Sequence, residues 1–503
     1  MKSRNKTILL ISMLVMLICC VSAVSATDAD NITVPDDTDV IELDDTVDSV
    51  EEVEQDRGTG CCNGINCDCD VNAPVLPTGT NKITLTPSNY TTKFTNGYFN
   101  DLTADEVIFT GDFASANYTT LNFNRGIIIT ATGSTFNNIG FGLYQQGTVL
   151  NGATITINAP ANNNAYAIDI LNGKDSIVVN NKITYTCGHD NAANYNYAIK
   201  AENSENLTIY GNEINATVPL KTVNWAISGS IYADYVAGVA IENCNKMTFA
   251  RNNLTVIGDR RVGSFPTLDA LIIAKSANAK ICKNNIYESD IVTATGDYSY
   301  IYGIDVYACD NITVCSNTVD MNGNKSGGHV GGNGTGAAYC IQLTGPHTGV
   351  KICNNDLTTQ NHGPNLGIYS QNYNVTTNIT VCGNTISVTG KAGSDPWSLV
   401  SGMELQDTYA TVYGNTINVT NVDGYISGTC VYGISYSQYT PGDHTYNITN
   451  NTVHVNDGDC AVYLDGVIDT VVTNNWLYSY SYVGDDAVEV SGTNITDTGN
   501  FPV

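Results

Sequence analysis

The stretch Gly303-Ile304-Asp305-Val306-Tyr307-Ala308-Cys309-Asp310-Asn311-Ile312-Thr313-Val314-Cys315-Ser316-Asn317-Thr318-Val319 decides how this chain folds. A small residue opens it, an apolar-x-apolar pair follows, a second such pair comes six residues later, and an Asn-centred turn precedes one more apolar residue. Ala198-Ile199-Lys200-Ala201, Leu207-Thr208-Ile209 and Asn212-Glu213-Ile214 repeat the order. Eleven copies lie between Ala167 and Asn500. Their small column runs Ala167, Ala198, Gly238, Ala270, Gly303, Cys340, Gly367, Gly402, Gly433, Ala461 and Ala487. Their Asn column runs Asn181, Asn212, Asn252, Asn284, Asn317, Asn355, Asn384, Asn415, Asn451, Asn475 and Asn500. From small residue to Asn the spacing stays between 13 and 18 residues, whereas from Asn to the next small residue it ranges from 10 to 26. A period of this kind marks a solenoid, and insertions on one side of the repeat map to loops on one face.

The apolar pairs have period two, the signature of a strand with one buried face. Repeats this short leave no room for a helix between the pairs, so each coil consists of two or three short strands and turns. One coil cannot bury its own apolar row; stacking coils about 4.8 Å apart closes the core and pairs the backbone. The predicted class is therefore all-β, a parallel β-helix of at least eleven coils. Asn suits a stacked turn because it tolerates the left-handed conformation and can bond its neighbours. An exposed turn position would accept it equally.

Four segments follow. Residues 1–26 carry Lys2, Arg4 and Lys6, an apolar run and Val24-Ser25-Ala26, which reads as a secretory signal peptide. No other run is long and apolar enough to span a bilayer. Residues 27–71 form an acidic stalk ending in a Cys cluster; 27–60 hold thirteen acids against one base, a composition that resists folding. Residues 72–165 read as an N-terminal cap and first coils, and 166–503 as the repeats. The formal net charge is -28, and no Lys or Arg follows Lys391. Nucleic acid, anionic lipid and polyuronate are poor partners for the C-terminal coils, because neutralising them needs basic groups.

Among sixteen cysteines, Cys61, Cys62, Cys67 and Cys69 cluster tightly, and Cys282, Cys315, Cys353 and Cys382 each stand two residues before their Asn on successive coils. The second set forms a ladder, read as reduced small apolar packing, with disulfides or metal as alternatives. The first lacks paired C-x-x-C zinc spacing and reads as a local disulfide knot.

The acidic stalk, the segment Ile83-Thr84-Leu85-Thr86-Pro87-Ser88-Asn89-Tyr90, the segment Val107-Ile108-Phe109-Thr110-Gly111-Asp112-Phe113 and the coil pattern ending in Asn-Thr-Ile/Val resemble the secreted adhesin-like proteins of methanogenic archaea. That resemblance implies an extracellular, right-handed, single-stranded β-helix at the cell surface, contacting glycans or neighbouring cells.

Glycan recognition combines aromatic faces for sugar C–H surfaces with amides and acids for the hydroxyls. The variable loops supply Trp225, Tyr232, Tyr235, Tyr298, Tyr300, Trp397 and Tyr425 as ligand-binding candidates; each could equally cap a coil edge. Fifteen N-x-S/T sequons after the signal segment fit a glycoprotein. The alternative is a polysaccharide-active enzyme, since Gly484-Asp485-Asp486 resembles the strand motif of polygalacturonases, which use paired carboxylates. The basic residues that accompany that motif are missing here. A passive envelope component is the third reading. Asp457, Asp459, Asp485 and Asp486 approach the small column on consecutive coils, where Ca2+ would relieve their repulsion. No other cofactor is expected, and the six histidines form no metal-binding pattern.

Overall fold

The computed structural model describes residues 69–160, 164–187, 196–218, 235–260, 267–292, 300–323, 337–360, 363, 365–371, 377–391, 399–407, 409–422, 430–436, 443–480, 482 and 484–503. They belong to one compact unit, Gly60–Val503. The signal and most of the stalk lie outside them.

Each coil contributes three strands. An opening strand such as Tyr300–Tyr307 is followed by a short strand, Thr313–Cys315, and, after the Asn turn, by a third strand, Thr318–Gly323. Equivalent strands of successive coils pair in parallel, Ile304 with Ile341 and Val314 with Ile352. The short strands form a 15-stranded sheet, and the opening and third strands lie in a 27-stranded one. The chain is thus a parallel β-helix, as its period requires. Among the described residues the one antiparallel pair is Phe94–Thr95 with Tyr98–Phe99.

The interior follows the period-two rows. Ile199, Leu207, Ile209 and Ile214 of one coil are fully buried, as are their counterparts Ile304, Ile312, Val314 and Val319. Burying such a side chain contributes about 1.5–3 kcal/mol, so stability accumulates coil by coil. The N-terminal end is filled by aromatic rings, with Phe113 stacked on Phe136 at 5.0 Å and Phe136 edge-on to Phe141 at 4.8 Å. The small column has a steric origin. It is the position at which each opening strand skips a rung of pairing, Tyr302↔Tyr339 being followed by Ile304↔Ile341. A Cβ on Gly303 would lie 2.5 Å from Val319 Cγ1 and 2.8 Å from the Cys340 carbonyl oxygen.

The Asn column is buried and continuous. Asn212 donates through both its backbone N–H and Nδ2 to Asn252 Oδ1, each at 3.0 Å, and Nδ2 also reaches the Val178 carbonyl at 3.1 Å. The same pattern continues to Asn475 and Asn500. One expectation needs correction. The left-handed residue is the one before each ladder Asn: Asn180, Gly211, Arg251, Lys283, Ser316, Asn354, Gly383, Gly414, Asn450, Asn474 and Gly499 all have positive φ. That turn aims the following amide inward, where its donors and acceptor are all used.

Candidate functional site

Side chains of the opening strands that do not enter the core line one outward face. Immediately before the small column stand Tyr166, Tyr197, Tyr302, Tyr339 and Tyr432, and two residues after it stand Asp169, Lys200, Ile272, Asp305, Tyr369, Glu404 and Tyr463. Parallel pairing stacks Tyr166 on Tyr197 at 6.2 Å and Tyr302 on Tyr339 at 5.2 Å between ring centroids, and Tyr432 of the first row meets Tyr463 of the second at 4.8 Å.

A cleft of about 270 Å³ opens on this face. Ala240 and Ile272 contribute apolar surface and Tyr197 an aromatic one, alongside Lys200, Glu202, Glu242 and Lys275. The charges are paired, Lys200 Nζ with Glu202 Oε1 at 2.9 Å and Lys275 Nζ with Glu242 Oε1 at 2.7 Å. Lys200 also lies over the Tyr166 ring, 5.4 Å from its centroid. One coil earlier the Tyr144 hydroxyl donates to Asp169 Oδ2 at 3.1 Å. Burial raises the Asp169 carboxyl above the usual range, against the pull of Lys200. An aromatic wall, apolar floor and fixed donors and acceptors match the two kinds of surface a sugar presents.

Sequence reasoning sought the aromatics in the loops. Trp225, Tyr232, Tyr298, Trp397 and Tyr425 lie outside the described residues; Tyr235 and Tyr300 begin opening strands, their side chains also outside. The strand tyrosines were accessible to reading, because all five precede the small residue by one position.

The four candidate calcium acids occupy different settings. Asp457 is a left-handed turn residue, Asp486 is exposed, and the Asp485 side chain lies outside the described residues. Asp459 is half-buried and accepts the Val431 N–H at 3.3 Å; burial, with Glu489 adding to it, pushes its carboxyl up to about 6. Gly484–Ala487 is a turn of 3-10 helix and not the strand of the polygalacturonase motif.

Structure also unites residues that looked scattered. His347 Nε2 lies 2.7 Å from Asp407 Oδ1, Nδ1 lies 2.9 Å from the Gly345 carbonyl, and the Ser370 hydroxyl donates to Asp407 Oδ2. Despite its composition this is no nucleophilic triad. The serine proton is directed at the carboxylate, the ring is engaged on both nitrogens, and all three residues are buried. It plugs the corner between opening and short strands, where Ser204, Cys244, Ser276 and Cys309 occupy earlier rungs.

Cys282, Cys315, Cys353 and Cys382 form a buried cluster with Ala250 that is separate from the main core. They face out of the coil, and Cys69 and Val71 pack against them. The expectation of a knot confined to residues 61–69 is corrected for Cys69, which is paired with Cys315.

No protein-family model matches the chain, and no curated protein matches it. Solved structures that are similar to it include the Dettilon tailspike protein at 15% identity, with 81% of this chain and 68% of that chain covered and a TM-score of 0.45. Others are PfbA, a surface adhesin of Streptococcus pneumoniae, at 11% identity over 79% and 86% with a TM-score of 0.39, and the catalytic domain of a GH87 α-1,3-glucanase in complex with tetrasaccharides, at 11% over 84% and 70% with a TM-score of 0.33. No helix among the described residues is long and apolar enough to cross a membrane.

Proposed function

We propose that this chain is an adhesin-like β-helix protein that works outside the cell and binds glycan along the outward face of its opening strands. The observation that carries the reading is the cleft beside Tyr197, where an aromatic ring, an apolar floor and two Lys–Glu pairs converge on a rigid sheet. Stacked tyrosines extend the same chemistry along the axis, which suits a repeating ligand. The signal peptide, the acidic stalk and the resemblance to methanogen surface proteins support an extracellular or cell-surface location.

A second reading, cleavage of a polysaccharide, is favoured by the Asp459 carboxyl, held up to about 6 beside Glu489 and near the stacked Tyr432 and Tyr463. A raised acid with a second carboxylate is what glycoside hydrolysis uses. One experiment separates the two. Purified protein is applied to a broad glycan array with calcium and with chelator, and the printed sugars are checked for shortening. Retention without shortening supports the adhesin, shortened products support the enzyme, and no retention removes both. Loss of retention in chelator alone would point to Ca2+ at Asp457, Asp459, Asp485 and Asp486.

A further inference from the structure

The outward thiol ladder carries a feature that adhesion does not use. Cys69 Sγ lies 3.4 Å from Cys282 Sγ, and Cys282 Sγ lies 3.3 Å from Cys315 Sγ. Cys69 and Cys315 are a disulfide-bonded pair, with Cα atoms 6.2 Å apart, and Cys353 of the same ladder is disulfide-bonded as well. Three sulfurs from positions 213 and 246 residues apart along the chain therefore meet at one point. Among the described residues they are the one group of three Cys, His, Asp or Glu donors with all donor atoms within 4.8 Å of one another.

Simple packing does not account for sulfur here. Ala250 fills the same column one rung earlier and is as buried as the cysteines. The core lies on the other side of these strands, so the cysteines pack against what covers them. That cover includes Cys69, at the end of a segment with four cysteines in nine residues. Sulfur recurs on both sides of a contact between distant parts of the sequence. A disulfide uses two of the three sulfurs and holds the third against both. A thiophilic cation uses all three, and thiolates at about 2.3 Å from Zn2+ would stand about 3.8 Å apart, so the Cys69–Cys282 and Cys282–Cys315 separations of 3.4 and 3.3 Å would have to widen slightly and the Cys69–Cys315 bond would have to be open.

The geometry points to a thiolate site for a soft d10 cation of the Zn2+ class, formed by Cys69, Cys282 and Cys315 in the reduced protein. Oxidation to the Cys69–Cys315 disulfide is the competing state of the same sulfurs. Each thiol must lose its proton to bind, so loading releases protons and weakens on acidification. Occupancy would tie the start of the β-helix to two rungs more than 200 residues away, without reference to any glycan.

The test uses the full mature chain, prepared without oxygen, reduced and freed of metal, and titrated with Co2+ and then Zn2+. The expected result is a sulfur-to-cobalt charge-transfer band that saturates at one equivalent and is erased by Zn2+. Cys69→Ser, which leaves the coils intact, should lower the affinity at least about tenfold, consistent with loss of a metal ligand. Cys340→Ser, in the core's small column, should keep the band. Absence of the band in protein whose thiols are all titratable would overturn the proposal. So would an unchanged band in Cys69→Ser, or peptide mapping that finds the Cys69–Cys315 disulfide complete in protein isolated anaerobically with thiols blocked at lysis.

Discussion

Asn317 gives Asn355 two hydrogen bonds at a single oxygen, its backbone N–H and its Nδ2 reaching Asn355 Oδ1 at 2.9 and 3.0 Å. Asn355 in turn donates to Asn384 Oδ1 and to the Val314 carbonyl. Asn355→Ala would strand buried groups on both neighbouring coils. Each such group costs about 1–3 kcal/mol, so a loss of at least about 2 kcal/mol is expected in urea unfolding. Asn285→Ala, whose amide meets Asn253 at the surface, should stay within about 0.5 kcal/mol. Equal losses would mean that the column is not acting through its buried bonds.

Gly303 has no left-handed backbone to protect, so its requirement is one of space. Gly303→Ala should cost about 1–3 kcal/mol by forcing Val319 and the Cys340 carbonyl aside. A thermal melt no lower than the parent's would show that the two coils can separate freely at this point.

His347 should make stability depend on pH. Burial opposes its charged form, but the Asp407 carboxylate and the Gly345 carbonyl outweigh burial and hold its proton above the usual histidine range. A folded-state value above the unfolded one near 6.5 stabilises fully below that pH and is lost as pH rises through the folded value. Melting temperature should therefore fall on going above about pH 6.5 in the parent and not in His347→Gln. The variant should also be less stable at pH 6 by about 3 kcal/mol or more, because Asp407 keeps a buried charge without its partner. Parallel pH profiles of parent and variant would refute this account.

The cleft and the loops make separable predictions for binding. Lys200→Ala should lower retention on the array by about tenfold, equivalent to about 1.4 kcal/mol, with little change in melting, because its ion pair with Glu202 is partly exposed. Alanine at Trp225, Tyr232 and Tyr235 together tests the long insertion. Loss in the triple variant with full retention in Lys200→Ala would move the site from the sheet face to the loops.

The order of residues by itself determined the β-helix, its coil register, the buried rows and the ladder columns. In a stacked coil, equivalent positions become spatial neighbours, so a one-dimensional period such as Asn284, Asn317, Asn355 already states the contact. Only the tertiary structure decided what crosses columns or leaves the core. His347, Ser370 and Asp407 come from three different coils, and their hydrogen bonds join positions that no single column contains. Tyr197 became part of a cleft because the rung skipped at Ala198 leaves Ile199 in the core and Tyr197 packed outside it beside Ala240. Cys69 reached Cys315 across 246 residues because the outward face of the short strands needed a cover. Periodicity records which residues stack, but it carries no information on what an aperiodic segment packs against.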